Sequence, residues 1–118
     1  MRSPDFSRRR RVADQIGREL ASLLLEEMDD PRVRGVTVSG VELSPDLRNA
    51  TVFVTLPADA DAAAAMKALA RARGLLRRRL ARRVRLKYLP ALRFEHDRTL
   101  DRADRIEQLL RAGDPEDA

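Results

Sequence analysis

Apolar residues recur at spacings of three and four along the first thirty residues, and this period predicts an amphipathic helix. The apolar positions are Val12, Ala13, Ile16, Leu20, Leu23, Leu24 and Met28. We expect Ser7 to cap the start of the helix. We expect the helix to end before Asp30-Pro31, because a proline disfavours helical backbone in the residue that precedes it. The first segment is thus predicted to be one long helix with a single apolar face.

Alternation of apolar and polar positions replaces this pattern after the turn DDPRVRG. Two alternating stretches, 36–43 and 50–56, flank the turn SPDLRN, and together they predict an antiparallel hairpin. The alternation slips by one residue at Ser39-Gly40, which indicates a β-bulge. A third alternating stretch runs from Leu92 to Asp97, and we expect it to pair with the hairpin.

A second helical pattern begins after Asp61 and contains a glycine. Residues 62–73 favour helix strongly, and helical spacing resumes beyond Gly74 with Leu76, Leu80 and Val84. Glycine costs about 1 kcal/mol relative to alanine inside a helix, so a kink or break at Gly74 is expected. The simpler alternative is that Gly74 allows close packing of the helix on the sheet.

A last short amphipathic helix is predicted from Thr99 to Gly113. The predicted order is therefore α, β, β, α, kink, α, β, α, an α+β fold with a three-stranded sheet and helices on one face. A chain of 118 residues suits one domain, which we assign to residues 1–113, followed by an acidic flexible tail at 114–118.

Composition narrows the class of protein further. Aromatic residues are few, so we expect Phe53, Tyr88 and Phe94 to be the large fillers of a small core. The chain has no cysteine, which excludes disulfides and thiolate metal sites and favours a reducing compartment. The N-terminal residues lack the apolar run of a secretory signal, and no stretch has the roughly 18 apolar residues of a membrane span. We therefore expect a soluble cytoplasmic protein that does not associate with membranes.

Charge is distributed unevenly along the chain. The net charge is +5, yet residues 62–94 contain eleven basic and no acidic residues. Such polarity within one small domain is typical of a nucleic-acid-binding surface. The alternative is a solvated arginine-rich helix face, since arginine outnumbers lysine 22 to 2. Base composition would explain the arginines but not the missing acids.

The candidate RNA-binding residues fall into two groups. The first group surrounds and follows the expected kink: Arg71, Arg73, Gly74, Arg77, Arg78, Arg82, Arg85 and Lys87. The second group occupies the first turn of the first helix: Arg8, Arg9, Arg10 and Arg11. Helical spacing places Arg79 and Arg83 beside the apolar stripe, so they are given less weight.

Four stretches together resemble one family, the bacterial ribosome-binding factor A family. They are RRRRVADQIGRELASLL, then DPRV with GVTVSGVELSPDLRNATVFVT, then RARGLLRRRLARRVRLKYLPALRFEHD, and finally DRADRIEQLL. They cover about 100 residues, and their order and spacing carry the resemblance, because no single one is specific.

The resemblance implies both a fold and a function. The fold would be a type II KH-like domain with a helix-kink-helix at Ala72-Arg73-Gly74 in place of the usual Gly-x-x-Gly loop. The partners would be the free 30S ribosomal subunit and its 16S rRNA, whose late maturation the protein would promote, with a role in growth in the cold. The family implies no catalysis and no cofactor, and we expect the free protein to be a monomer.

The residues give less support to other functions. The only histidine, His96, sits in a predicted strand with Glu95 and Asp97 on the opposite face, which suits neither catalysis nor a metal site. Asp29-Asp30 before Pro31 is explained by a helix terminus rather than by cation binding. No phosphate-binding loop is present. A permanent ribosomal protein or an architectural nucleic-acid-binding protein remains as the alternative.

Overall fold

The computed structural model describes residues 4–98, with side chains from Ser7 onwards. The predicted helix at 99–113 and the acidic tail at 114–118 lie outside the described residues. The elements are helix α1 (Pro4–Glu26), a 3₁₀ turn (Pro31–Val33), strands β1 (Thr37–Leu43) and β2 (Asn49–Thr55), helix α2 (Ala62–Leu80) and strand β3 (Ala91–His96).

The three strands form one sheet in the order β1-β2-β3. β1 and β2 pair antiparallel, and the register shifts between Val38 and Gly40, which confirms the predicted hairpin and bulge. β3 pairs with β2 as predicted, in the parallel direction. Parallel neighbours need a crossover connection, and α2 supplies it.

Both helices contribute to a single hydrophobic core. α1 packs against β1, α2 packs against β3, and the helices also contact each other, so the two helices share one face of the sheet. The alternate β2 residues Ala50, Val52 and Val54 are buried, while the residues between them are half-buried. The described part of the chain therefore has the predicted α+β layering.

The start of α1 differs from the prediction. The helix begins at Pro4, so Ser7 lies inside it and does not cap it. Proline suits the first turn of a helix because the backbone N–H that it lacks would have no partner there.

The start of the 3₁₀ turn is fixed by Asp30. Its carboxylate accepts hydrogen bonds from the Arg32 backbone N–H at 2.9 Å and from Arg32 Nη2 at 2.7 Å. These bonds lower the pKa of Asp30 to about 2, the side-chain bond being the largest cause. Asp30 is thus engaged as a cap, in agreement with its assignment to a helix terminus.

The predicted break at Gly74 is absent, because one α-helix runs from Ala62 to Leu80. Its first turn is capped by Asp61, whose carboxylate accepts from the Ala64 backbone N–H at 3.1 Å. Leu76 and Leu80 are 1% and 0% exposed, and burying each is worth about 1.5–3 kcal/mol, which exceeds the cost of the glycine. No second helix begins after Gly74 in the described residues, so the amide groups expected to be free there are used within α2.

Candidate nucleic-acid interface

Every predicted basic site residue is exposed except Arg9, which is half-buried. Gly74 is exposed as well, on the surface of α2 rather than against the sheet. The alternative of close helix-on-sheet packing at Gly74 is therefore also wrong. Since α2 ends at Leu80, Arg82, Arg85 and Lys87 follow the helix instead of lying along it.

A basic stripe on α2 consists of Arg71, Gly74 and Arg78. Seven residues at about 100° each separate Arg71 from Arg78, so the two side chains emerge within about 20° of each other, with Gly74 between them. A Cβ added at Gly74 would lie 3.5 Å from Arg78 Nη1. The Arg78 guanidinium thus lies beside Gly74 and leaves room there for a methyl group.

A second group of cations meets from distant parts of the sequence. Arg8 and Arg9 of α1 border the same cavity as Arg85, Lys87 and Tyr88, which follow α2. The turn between β1 and β2 closes the third side with Pro45, Asp46 and Leu47. We call this cavity the basic groove; its volume is about 360 Å³.

Arg77 has a structural role that the sequence did not reveal. Its Nη2 donates to the Leu89 carbonyl at 2.7 Å, and its Nε donates to the Pro90 carbonyl at 3.1 Å. These bonds hold the segment that carries Lys87 and Tyr88. Arg77 is exposed and has further N–H donors, so its predicted contact with RNA stays a prediction beside this structural role.

Arg79 and Arg83 are engaged by acidic residues of α1 and the turn that follows it. Arg83 Nη2 lies 2.6 Å from Glu27 Oε2, and its Nη1 donates to Ser22 Oγ at 3.0 Å. Arg79 Nη1 lies 3.1 Å from Glu27 Oε1. The hydrogen bond from Arg83 to Glu27 is the main reason that the pKa of Arg83 is raised. Both arginines, which were given less weight as RNA-binding candidates, thus connect α2 and the segment after it to α1.

Nine exposed cations among the predicted site residues form no ion pair with a described residue. They are Arg8, Arg10, Arg11, Arg71, Arg73, Arg78, Arg82, Arg85 and Lys87. Arginine presents a planar fork of donors that matches a phosphate group. The arrangement can therefore hold the backbone of a nucleic acid.

Sequence reasoning missed two residues of the groove, Asp46 and Tyr88. The Asp46 carboxylate accepts from Ser44 Oγ at 2.6 Å and from the Arg48 backbone N–H at 3.1 Å. These bonds lower the pKa of Asp46, the Ser44 bond most strongly. The turn motif SPDLRN predicted the local bend, but nothing in it indicated that Asp46 would face the cations.

Within residues 4–98, no group of histidine, cysteine, aspartate and glutamate side chains could hold a metal ion. No helix in the same part of the chain is long and apolar enough to cross a membrane.

Comparison with known proteins agrees with the resemblance. The sequence model of the family described as Ribosome-binding factor A matches residues 8–110. Ribosome-binding factor A of Alkalilimnicola ehrlichii is 49% identical over 90% of this chain and 83% of its own length.

Solved structures of the same family share the fold. The crystal structure of ribosome-binding factor A from Thermus thermophilus superposes with a TM-score of 0.69 at 35% identity, covering 75% of this chain and 94% of that one. A homology model of the Thermus thermophilus factor, fitted into a cryo-EM map of its complex with the 30S subunit, gives 0.61 at 39% identity, covering 72% and 90%. On the family match, the sequence identity and the shared fold, this chain belongs to the ribosome-binding factor A family.

Proposed function

We propose that this protein binds the free 30S ribosomal subunit through the phosphates of 16S rRNA and thereby promotes late 16S rRNA processing and 30S assembly. The Thermus thermophilus relative was fitted into a map of a 30S complex, which supports the choice of partner. The family membership supports a binding function rather than an enzymatic one.

The observation that carries the proposal is that some arginines of this region are paired with acids and others are not. Arg79 and Arg83 pair with acids from the end of α1, whereas Arg71, Arg73 and Arg78 are exposed and pair with no described acid. Like charges on one small helix raise the electrostatic self-energy of the folded protein, and a polyanion relieves it. Structured RNA presents that polyanion, and proteins recognise it largely by backbone and shape.

The mechanism follows from binding alone. A ligand shifts an equilibrium between conformers by its difference in affinity for them, so a protein that prefers the mature arrangement of the rRNA favours that arrangement. No cofactor is needed for this work. We propose that the protein acts as a cytoplasmic monomer that leaves the subunit after maturation, and that it supports growth in the cold.

We propose that the chain has the type II KH arrangement, with Ala72-Arg73-Gly74 at the position of the Gly-x-x-Gly loop. Because α2 is continuous there, its role would be to present Arg71, Arg73 and Arg78 outward from one helix, not to offer free amides to a phosphate.

Charge reversal tests the interface. We expect the double variant Arg78→Glu/Arg82→Glu to bind the 30S subunit more weakly and with a shallower dependence on salt, since each lost phosphate contact reduces the slope of log affinity against log salt by about 0.7–0.9. The matched control is Arg18→Glu/Arg34→Glu, which makes the same charge change at exposed arginines outside the predicted set. Unchanged affinity and slope in the first variant would contradict the proposal.

Sedimentation separates an assembly factor from a permanent ribosomal protein. We expect the protein to migrate with free 30S subunits in a sucrose gradient and to be absent from translating ribosomes. Equal amounts in both fractions would favour the permanent ribosomal component instead.

A further inference from the structure

The basic groove is built differently from the stripe on α2. The stripe is a convex helix surface, whereas the groove is a cavity of about 360 Å³, within the range of about 300–1,000 Å³ that is usual for small-ligand sites. Its lining includes the apolar side chains of Val12, Leu43 and Leu86 as well as the cations. A surface that only followed an RNA backbone would need neither the cavity nor the apolar lining.

Tyr88 lies at this groove with 67% of its surface exposed. Lys87 Nζ is 5.6 Å from the centre of its ring. The backbone that follows the ring is held, because Arg77 fixes the carbonyls of Leu89 and Pro90. An exposed aromatic ring on a positioned segment beside cations is the arrangement that stacks an unpaired base.

The charges at the groove favour one orientation of a bound nucleotide. Arg8, Arg9, Arg85 and Lys87 supply positive charge, and Asp46 is the acid among the described lining residues. Asp46 Oδ1 already accepts two hydrogen bonds, which leaves Oδ2 for a further donor. A phosphate is repelled by this carboxylate and attracted by the cations, whereas a base edge that carries an amino group can donate to it.

We propose that the basic groove holds one unpaired nucleotide of RNA, with its base stacked on Tyr88, its phosphate among the cations and an amino edge toward Asp46. This inference rests on the proposed function, since RNA is the expected partner, and it adds a site that reads an unpaired base. The stripe on α2 contacts backbone, whereas the groove distinguishes single-stranded from paired RNA.

The sequence provides a direct spectroscopic probe. Tyr88 is the only tyrosine, and the chain has no tryptophan, so tyrosine fluorescence reports on this ring alone. We expect oligocytidine hexamers to quench it, and a blunt RNA duplex with the same number of nucleotides per strand to leave it nearly unchanged. Oligouridine should quench less at the same concentration, because uracil has a carbonyl where cytosine has its amino group.

Variants then assign the contacts. Tyr88→Ala should weaken hexamer binding by about 5- to 100-fold in a filter or anisotropy assay, and Tyr88→Phe should retain the wild-type affinity because the ring still stacks. Asp46→Asn keeps an Oδ1 acceptor for Ser44 and Arg48 and removes the charge, so it should level the preference for cytosine over uracil. Circular dichroism of each variant checks that the fold is kept.

Several results would overturn the inference. They are equal quenching by duplex and hexamer, no quenching by any hexamer, equal binding of cytosine and uracil hexamers to the wild type, and full hexamer affinity in Tyr88→Ala. Quenching by free cytidine monophosphate as strong as by the hexamer would show a mononucleotide site instead of an RNA site.

Failure of this inference can be told apart from failure of the proposed function. If the wild-type protein binds 30S subunits but its tyrosine fluorescence does not respond to hexamers, only the proposed nucleotide site is contradicted. A protein whose tyrosine responds to hexamers but which does not bind 30S subunits would remove the ribosomal partner and keep the site.

Discussion

Replacing Gly74 with alanine distinguishes a continuous helix from a kinked one. In the structure Gly74 lies inside α2, six residues before the helix ends at Leu80. Its φ is not in the left-handed region, since the only glycine with a positive φ among the described residues is Gly35. The backbone conformation at Gly74 is therefore one that alanine adopts readily.

The space at Gly74 also accepts a methyl group. The nearest atom to an added Cβ is Arg78 Nη1 at 3.5 Å, an ordinary van der Waals contact with the end of a flexible side chain. Alanine in place of glycine inside a helix stabilises by about 0.5–1 kcal/mol through backbone entropy. For a chain of this size that increment corresponds to a rise in Tm of about 2–6 °C.

The measurement is urea and thermal unfolding followed by circular dichroism. Gly35→Ala is the matched control, because Gly35 has φ 79° and an added Cβ would lie 2.8 Å from Pro57 Cγ. We expect this control to be destabilised, while Gly74→Ala is stabilised. The opposite signs test the geometry at each glycine with the same chemical change.

Loss of stability in Gly74→Ala would refute the continuous helix. A kink that needed glycine would cost stability when alanine replaced it, and 30S binding would fall with it. A stable variant with full 30S affinity would show that neither the helix nor the binding surface needs a glycine at position 74.

Two further variants test local interactions. Arg77→Met keeps an unbranched apolar stem and loses the guanidinium that donates to the Leu89 and Pro90 carbonyls. Unfolding in urea should show a loss of about 1–2 kcal/mol and Tyr88 fluorescence should change, whereas a neutral effect would show that the segment is held by other contacts. Asp30→Asn should be less stable than the wild type above pH 3.8, and the difference should disappear as the pH falls through about 2, because the carboxylate stabilises the fold only while it is charged. A difference in stability that does not vary with pH would contradict the pairing of Asp30 with Arg32.

The strands could be predicted from the sequence almost completely, because their signals are local. Period-two alternation marks all three, and the slip at Ser39-Gly40 locates the bulge that the register shows between Val38 and Gly40. Alternation does not give the direction of β3. Its parallel pairing depends on how α2 crosses the sheet, which is a property of tertiary packing.

A helix break at Gly74 is not observed, because tertiary packing outweighs the local cost of a glycine. Helix propensity is a weak preference, and burial of Leu76 and Leu80 on the same helix exceeds it. A bend within the continuous helix stays a prediction. The sequence did not show that Gly74 lies on the exposed side of α2, beside Arg78.

The sequence predicted which arginines of the candidate site are exposed, but not which arginines pair with acidic residues. Spacing along the helix separates the outer arginines from Arg79 and Arg83, since spacing is local. Glu27, the partner of Arg83, lies 56 residues earlier in the chain, so the sequence pattern near Arg83 cannot predict this pair. The prediction that Tyr88 fills the core is wrong, because the segment after α2 turns its ring outward.

The absence of acids from residues 62–94 now has a structural meaning. Acids do meet this region: Glu95 of β3 pairs with Arg93, and acids from the second half of α1 and the turn after it pair with Arg79 and Arg83, at the junction of the two helices. Those pairs tie α1 to the end of α2, and so they help to keep the segment beyond α2 beside the α1 arginines. Had glutamates instead alternated with arginines along α2, each charge on Arg71 and Arg78 would have been neutralised one turn away. The distribution therefore uses one set of arginines to hold the fold and leaves Arg71, Arg78 and Arg85 without an acidic partner among the described residues, as the proposed function requires.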